Sequence, residues 1–115
     1  MSKPKAFSCI SAPLTPAVFY ILLSLAGQKR HGYAIMKQVA ADSQNRVRLG
    51  PGTLYGAIKR LVEAGLIVEI ASSSDRRRYY QLTSAGRSLF SGELDRLDRA
   101  VQLAHRRLVA HLAYV

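Results

Sequence analysis

Apolar positions along the chain repeat with two periods, and the change from one to the other divides it into elements. Ala17 to Ala26 is apolar nearly all round apart from Ser24, so it predicts a buried helix running to about Ala26 and stopped by Gly27. Thr15-Pro16 supplies its start, with Thr as N-cap and Pro in the first turn. A second helix is expected from about Tyr33 to Asp42, with Ile35, Met36, Val39 and Ala40 inward and Tyr33, Lys37 and Gln38 outward. Pro51 opens a third, whose apolar residues fall at Leu54, Ile58, Leu61 and Val62, and Gly65 sits where a left-handed cap would end it. Its outer side carries Gly52, Thr53, Tyr55, Gly56, Lys59, Arg60 and Glu63.

After Gly65 the pattern alternates. Leu66, Val68 and Ile70 share one face, with Ile67 and Glu69 on the other; Arg78 to Leu82 alternates again, with Tyr80 and Leu82 together. Two such runs around the polar tip Ala71–Arg77 predict a β-hairpin, its tip carrying Arg76, Arg77 and Arg78. Thr83 or Ser84 should cap a last helix of about 28 residues, about 40 Å long. Phe90, Leu94, Leu97, Val101, Ala104, Leu108 and Leu112 fall on it at near-heptad gaps, bordered by Arg87, Glu93, Asp95, Arg96, Asp98, Arg99, Arg106 and Arg107. That stripe is longer than the small core can cover, so a second copy of the same helix is the expected partner. Residues 1–12 read as a loose arm, 13–83 as a folded unit and 84–115 as a dimerisation helix. The fold class expected is mainly α with a small β-hairpin, in the order of a winged helix-turn-helix domain.

Charge adds a partner to this picture. The 115 residues carry 17 Lys+Arg against 7 Asp+Glu, a formal net charge of +10, and a surface of that kind attracts polyanions. Twelve of the basic residues and four of the acidic ones lie in residues 1–83. The cations at 29, 30, 37, 46, 48, 59, 60, 76, 77 and 78 concentrate in the second and third helices, their loops and the hairpin. A helix of this kind fits the major groove and basic loops meet the flanking phosphates. Enzyme chemistry has little support. His31, His105 and His111 lack partners at catalytic spacing, no paired-carboxylate pattern occurs, and no metal or cofactor site is indicated. His31, beside Gly32, reads as a turn or phosphate-contacting residue. Cys9 is the only cysteine, which points to a cytoplasmic protein, and the ten-residue apolar run falls short of the roughly twenty residues of a membrane span.

Leu14-Thr-Pro16, His31-Gly-Tyr-Ala-Ile35, Gly50-Pro-Gly-Thr-Leu-Tyr55, Lys59-Arg-Leu61, Gly65-Leu-Ile67 and Arg78-Tyr-Tyr-Gln-Leu-Thr83 with Gly86 resemble the PadR-type transcriptional regulators, over about residues 13–112. The resemblance implies a homodimeric bacterial repressor of the short branch, with a single C-terminal helix. It would bind a palindromic operator in double-stranded DNA and be released by a small aromatic effector. By the same resemblance Tyr33, Lys37, Gly52, Thr53, Tyr55 and Lys59 and the wing arginines Arg76, Arg77 and Arg78 would contact DNA, and Arg60, beside Lys59 on the outer face, is expected to join them. Phe19, Tyr20, Phe90 and Leu94 would line an effector site. Two departures stand out: the chain has no tryptophan to sandwich a flat ligand, and the wing tip reads Ser-Ser-Ser-Asp where glycine is common in relatives. Two other readings compete. One is a MarR-like regulator, whose wing Asp75-Arg-Arg with Leu82-Thr and Gly86 also resembles, and the other is a basic interaction module without sequence-specific DNA binding.

Overall fold

In the computed structural model, which describes residues 10–71 and 76–113, the elements follow in the order α1 (Pro16–Ser24), β1 (Arg30–His31), α2 (Gly32–Asp42), α3 (Pro51–Glu63), β2 (Ile67–Ala71), β3 (Arg78–Leu82) and α4 (Ser84–Ala113). The arm residues 1–9 and the wing-tip residues Ser72–Asp75 lie outside the described residues.

Local chemistry sets the helix ends. Thr15 caps α1, its hydroxyl accepting from the Val18 N–H at 3.2 Å. The helix stops two residues short of the expected Ala26, and Gly27 takes φ +88° beyond it. Gly50 caps α3 with no side-chain bond, Pro51 filling a position whose N–H needs no partner. At the other end Gly65 (φ +76°) closes a Schellman motif: its N–H reaches Val62 O at 3.0 Å, and Leu66 N–H reaches Leu61 O at 3.0 Å. Thr83 is the cap of α4, its hydroxyl accepting from Gly86 N–H at 3.0 Å while donating to Gly65 O at 2.6 Å. The Thr83 N–H in turn donates to Leu66 O at 3.0 Å, so one threonine ties the end of α3 to the start of α4.

Ile21, Leu22 and Leu25 from α1 and its cap, Ile35 and Val39 from α2, and Leu54, Ala57, Ile58 and Leu61 from α3 form the core, closed by Ile67, Tyr80, Leu82 and Phe90. On α3 the inward residue is Ala57 rather than Val62, which is exposed. At 100° per residue 54, 57, 58 and 61 span one arc, and 62 lies at its outer edge.

The expected hairpin is present as β2 and β3, and the sheet adds a third strand to it. The sheet has three antiparallel strands in the order β1-β3-β2, because Arg30 and His31, expected as a polar turn, pair with Tyr80 and Tyr79. Two residues have no period to show, and only pairing makes them a strand. In the β2–β3 register Ile67 lies opposite Leu82 and Glu69 opposite Tyr80, so the Ile67 face turns to the core and Val68 outward. Burial, with the Glu69 charge adding to it, raises the Tyr80 hydroxyl pKa above its ordinary value.

α4 starts inside the core and leaves it. Phe90 and Glu93 are buried, whereas every residue from Asp98 to Leu112 is exposed. Glu93 was expected in the charged border, but its carboxylate is only 2% exposed. It accepts from Arg96 (2.7 and 3.0 Å) and from the Leu14 N–H (2.9 Å), anchoring the segment before α1. The Arg96 hydrogen bonds, and after them the Leu14 N–H, hold its carboxyl down to about 2. Among the described residues no helix is long and apolar enough to cross a membrane.

Candidate nucleic-acid interface

Opposite its buried arc, α3 presents Gly52, Gly56, Lys59 and Glu63, with Thr53 and Arg60 on one flank and Tyr55 on the other. Nothing lies within 4 Å of a Cβ placed on Gly52, so this face is open to close approach. Tyr55 is held by its neighbour instead. A Cβ on Gly32, at the start of α2, would run into the Tyr55 hydroxyl and come within 2.7 Å of its Cζ. Gly32 is therefore a seat for the Tyr55 ring, which leaves about half of that residue (49%) facing solvent.

Tyr33 and Lys37 stand one turn apart on α2, with the Lys37 ammonium 5.3 Å from the Tyr33 ring centre. Between them and the wing sits His31. Its Nδ1 accepts from Ala34 N–H at 3.2 Å, capping α2. Its ring stacks on Tyr33 at 6.5 Å and meets Tyr79 edge-on at 5.5 Å. Its Nε2 lies 2.9 Å from Arg77 Nη1. A cavity of about 320 Å3 is lined by His31, Gly32, Tyr33, Tyr55, Arg76, Arg77 and Arg78. A second of about 330 Å3 runs between α3 and the sheet, where Tyr55, Lys59, Glu69 and Arg78 line it.

Of the residues expected at a DNA surface, Tyr33, Tyr55, Arg76, Arg77 and Arg78 share one hollow, with Lys37 and Lys59 at its two sides. Gly52, Thr53 and Arg60 are placed on the adjoining face of α3. Arg30, counted among the cations there, does something else: half-buried, its Nε donates to Ser24 O at 2.6 Å, closing the C-terminal end of α1. Arg78 is shared with Glu69 at 3.8 Å across the strand pair. Gly32 as the Tyr55 seat was not legible in sequence, because it depends on two helices meeting.

Phe19, Tyr20 and Phe90, expected to line an effector site, form an aromatic cluster with ring centres 5.3 Å apart. Leu94 is largely outside it, at 44% exposed. Phe90 is buried within its own chain and so is not free to meet a partner helix.

Known proteins share this fold. A PadR family transcription regulator from Clostridium difficile R20291 superposes with a TM-score of 0.68 at 28% identity, covering 82% of this chain and 99% of that one. A transcriptional regulator from Clostridium thermocellum (TM-score 0.66, 23% identity, 78% and 87% covered) and RosR from H. salinarum (0.62, 24%, 86% and 97%) share the fold. In sequence, the chain is 41% identical over 83 residues to an uncharacterised 37.1 kDa protein of transposon TN4556 from Streptomyces fradiae. The match covers 72% of this chain but spans only 23% of that relative's length. The family model of PadR-like transcriptional regulators matches residues 21–91. The chain thus belongs to the PadR-like family of transcriptional regulators.

Proposed function

We propose that the protein represses transcription by binding a palindromic operator as a homodimer, α3 entering the major groove and the β2–β3 wing lying on the flanking phosphates. The observation that carries this is the gathering of Tyr33, Tyr55, Arg76, Arg77 and Arg78, from three elements, around one hollow beside the open face of α3. The Thr53 and Tyr55 side chains meet base edges, Gly52 lets the helix approach them closely, and Lys37, Lys59 and the wing arginines meet phosphate. The dimer forms along α4 through Leu94, Leu97, Val101, Ala104, Leu108 and Leu112. An open apolar groove of about 540 Å3, lined by Ala100, Leu103, Ala104, Arg107 and Leu108, supports it, and it brings Leu103 into the surface as well. Such a pair sets two recognition helices about one DNA turn, roughly 34 Å, apart. The repressor role and a cytoplasmic setting follow the family resemblance.

Selection of bound sequences from random DNA tests the reading, and should return a two-fold symmetric site. If the dimer meets roughly six to ten phosphates, log K against log salt has a slope of about −5 to −9. Binding that is independent of sequence and lost at modest salt would instead make this a basic interaction module. A second reading, release by a small aromatic effector, is favoured by the Phe19–Tyr20–Phe90 cluster beside the exposed Leu94. An aromatic library in which no compound shifts the melting temperature or releases DNA would defeat it.

A further inference from the structure

Lys59 and Arg60 are neighbours in sequence but serve different sides of α3. Lys59 turns to the wing, where it lines the cavity of about 330 Å3 with Glu69 and Arg78. Arg60 stands in the last turn of the helix, where a cation ordinarily serves the negative end of the helix dipole. Its guanidinium runs the other way. Nη1 lies 4.0 Å from a Cβ placed on Gly56, one turn towards the N-terminus. No acid draws it there: the ion pairs among the described residues are Arg78–Glu69 and Arg96–Glu93, and Glu63 on the same helix takes part in neither.

Gly52, Gly56 and Arg60 are spaced four apart, so they form one row along the outward side of α3. The first two have no side chain, and nothing stands within 4 Å of a Cβ on Gly52. The row is a bare strip about 6 Å long, with a guanidinium at its C-terminal end. A duplex can come close to the helix along this strip, and the first charged group it meets is a planar fork of donors. Such a fork matches the O6 and N7 acceptors of guanine in the major groove, which the point charge of a lysine does not.

We propose that Arg60 reads one guanine in each half-site of the bound DNA, with Gly56 giving the guanidinium the clearance to lie along the helix. The inference rests on the DNA-binding reading and deepens it, because it names a base and the residue that selects it.

Arg60→Lys keeps the charge and loses the fork. The side chain is exposed, so the variant should melt at the wild-type temperature. Wild type and R60K are each put through selection from random DNA. Both are then titrated against the wild-type site and against that site with each base pair replaced in turn. The wild type should prefer guanine at one position of each half-site by about 5- to 150-fold, the discrimination of one bidentate contact. R60K should lose that preference and keep the others. It should bind duplex of arbitrary sequence within about two-fold of wild type, with the same salt slope, because its charge is unchanged. An R60K protein that keeps every base preference overturns the inference while leaving DNA binding intact. In that case Arg60→Gln, by weakening all sequences alike and flattening the salt slope by about 0.9 per protomer, would mark Arg60 as a phosphate contact. Loss of preference at a pair other than G·C also overturns the inference. A wild type that selects no site overturns both the inference and the sequence-specific reading beneath it.

Discussion

The outer half of α4 makes the most exacting prediction. Val101 is 51% exposed and Leu108 60% exposed in the single chain, and neither touches the core. Burying a fully exposed Val or Leu side chain contributes about 1.5–3 kcal/mol. Scaled to the area still exposed and counted once in each protomer, the two residues supply about 3–7 kcal/mol to a helix-to-helix dimer. Val101→Asp with Leu108→Asp removes that and sets two carboxylates against their counterparts across the two-fold axis. Dimer dissociation should therefore shift by about two to five decades in concentration, at ~1.4 kcal/mol per decade. Sedimentation across the micromolar range reads the shift, and far-UV circular dichroism checks that the fold is kept, as it should be for positions already in water. DNA affinity should fall with the dimer. A double variant that self-associates like the wild type, or a wild type that is monomeric throughout that range, would refute the reasoning.

Three further substitutions test how the fold positions its surface. Gly32→Ala gains helix propensity of up to about 1 kcal/mol yet displaces the Tyr55 ring, so stability should change little while base discrimination drops; equal discrimination in a binding-site selection would count against the Tyr55 seat. Gly86→Ala puts a methyl into the Leu66 carbonyl, whose carbon would lie at 3.0 Å; backbone cannot yield cheaply, and denaturant melts should show a loss of about 1–3 kcal/mol. Glu93 has a carboxyl pKa depressed to about 2, so its contribution is fully present above about pH 4.5 and is lost as pH falls through about 2. Glu93→Gln should be less stable than wild type at neutral pH and should lack that acid-linked loss; parallel pH profiles for the two would exclude the Arg96–Leu14 clamp.

Periodicity determined a great deal here. The helices, the two longer strands, their caps at Thr15 and Thr83, the left-handed turn at Gly65 and the long stripe of α4 are all local. Each depends on side chains within a few residues of one another, and the spacing of apolar positions records which side is inward. Family membership was legible for the same reason, since its motifs are contiguous. Other features needed distant segments to meet. Arg30 and His31 become a strand only because Tyr80 and Tyr79, 50 and 48 residues on, offer an edge. Arg30 leaves the cationic surface because Ser24 O lies within its reach, and Glu93 leaves the charged border because Leu14 N–H needs an acceptor, 79 residues before it. Gly32 is required by the Tyr55 ring, and Arg77 comes within 2.9 Å of His31 only once the wing folds against α2. A polar side chain far from any helix period carries no sign of which distant backbone group it will satisfy. Burial makes that pairing compulsory, and only the tertiary structure decides the partner.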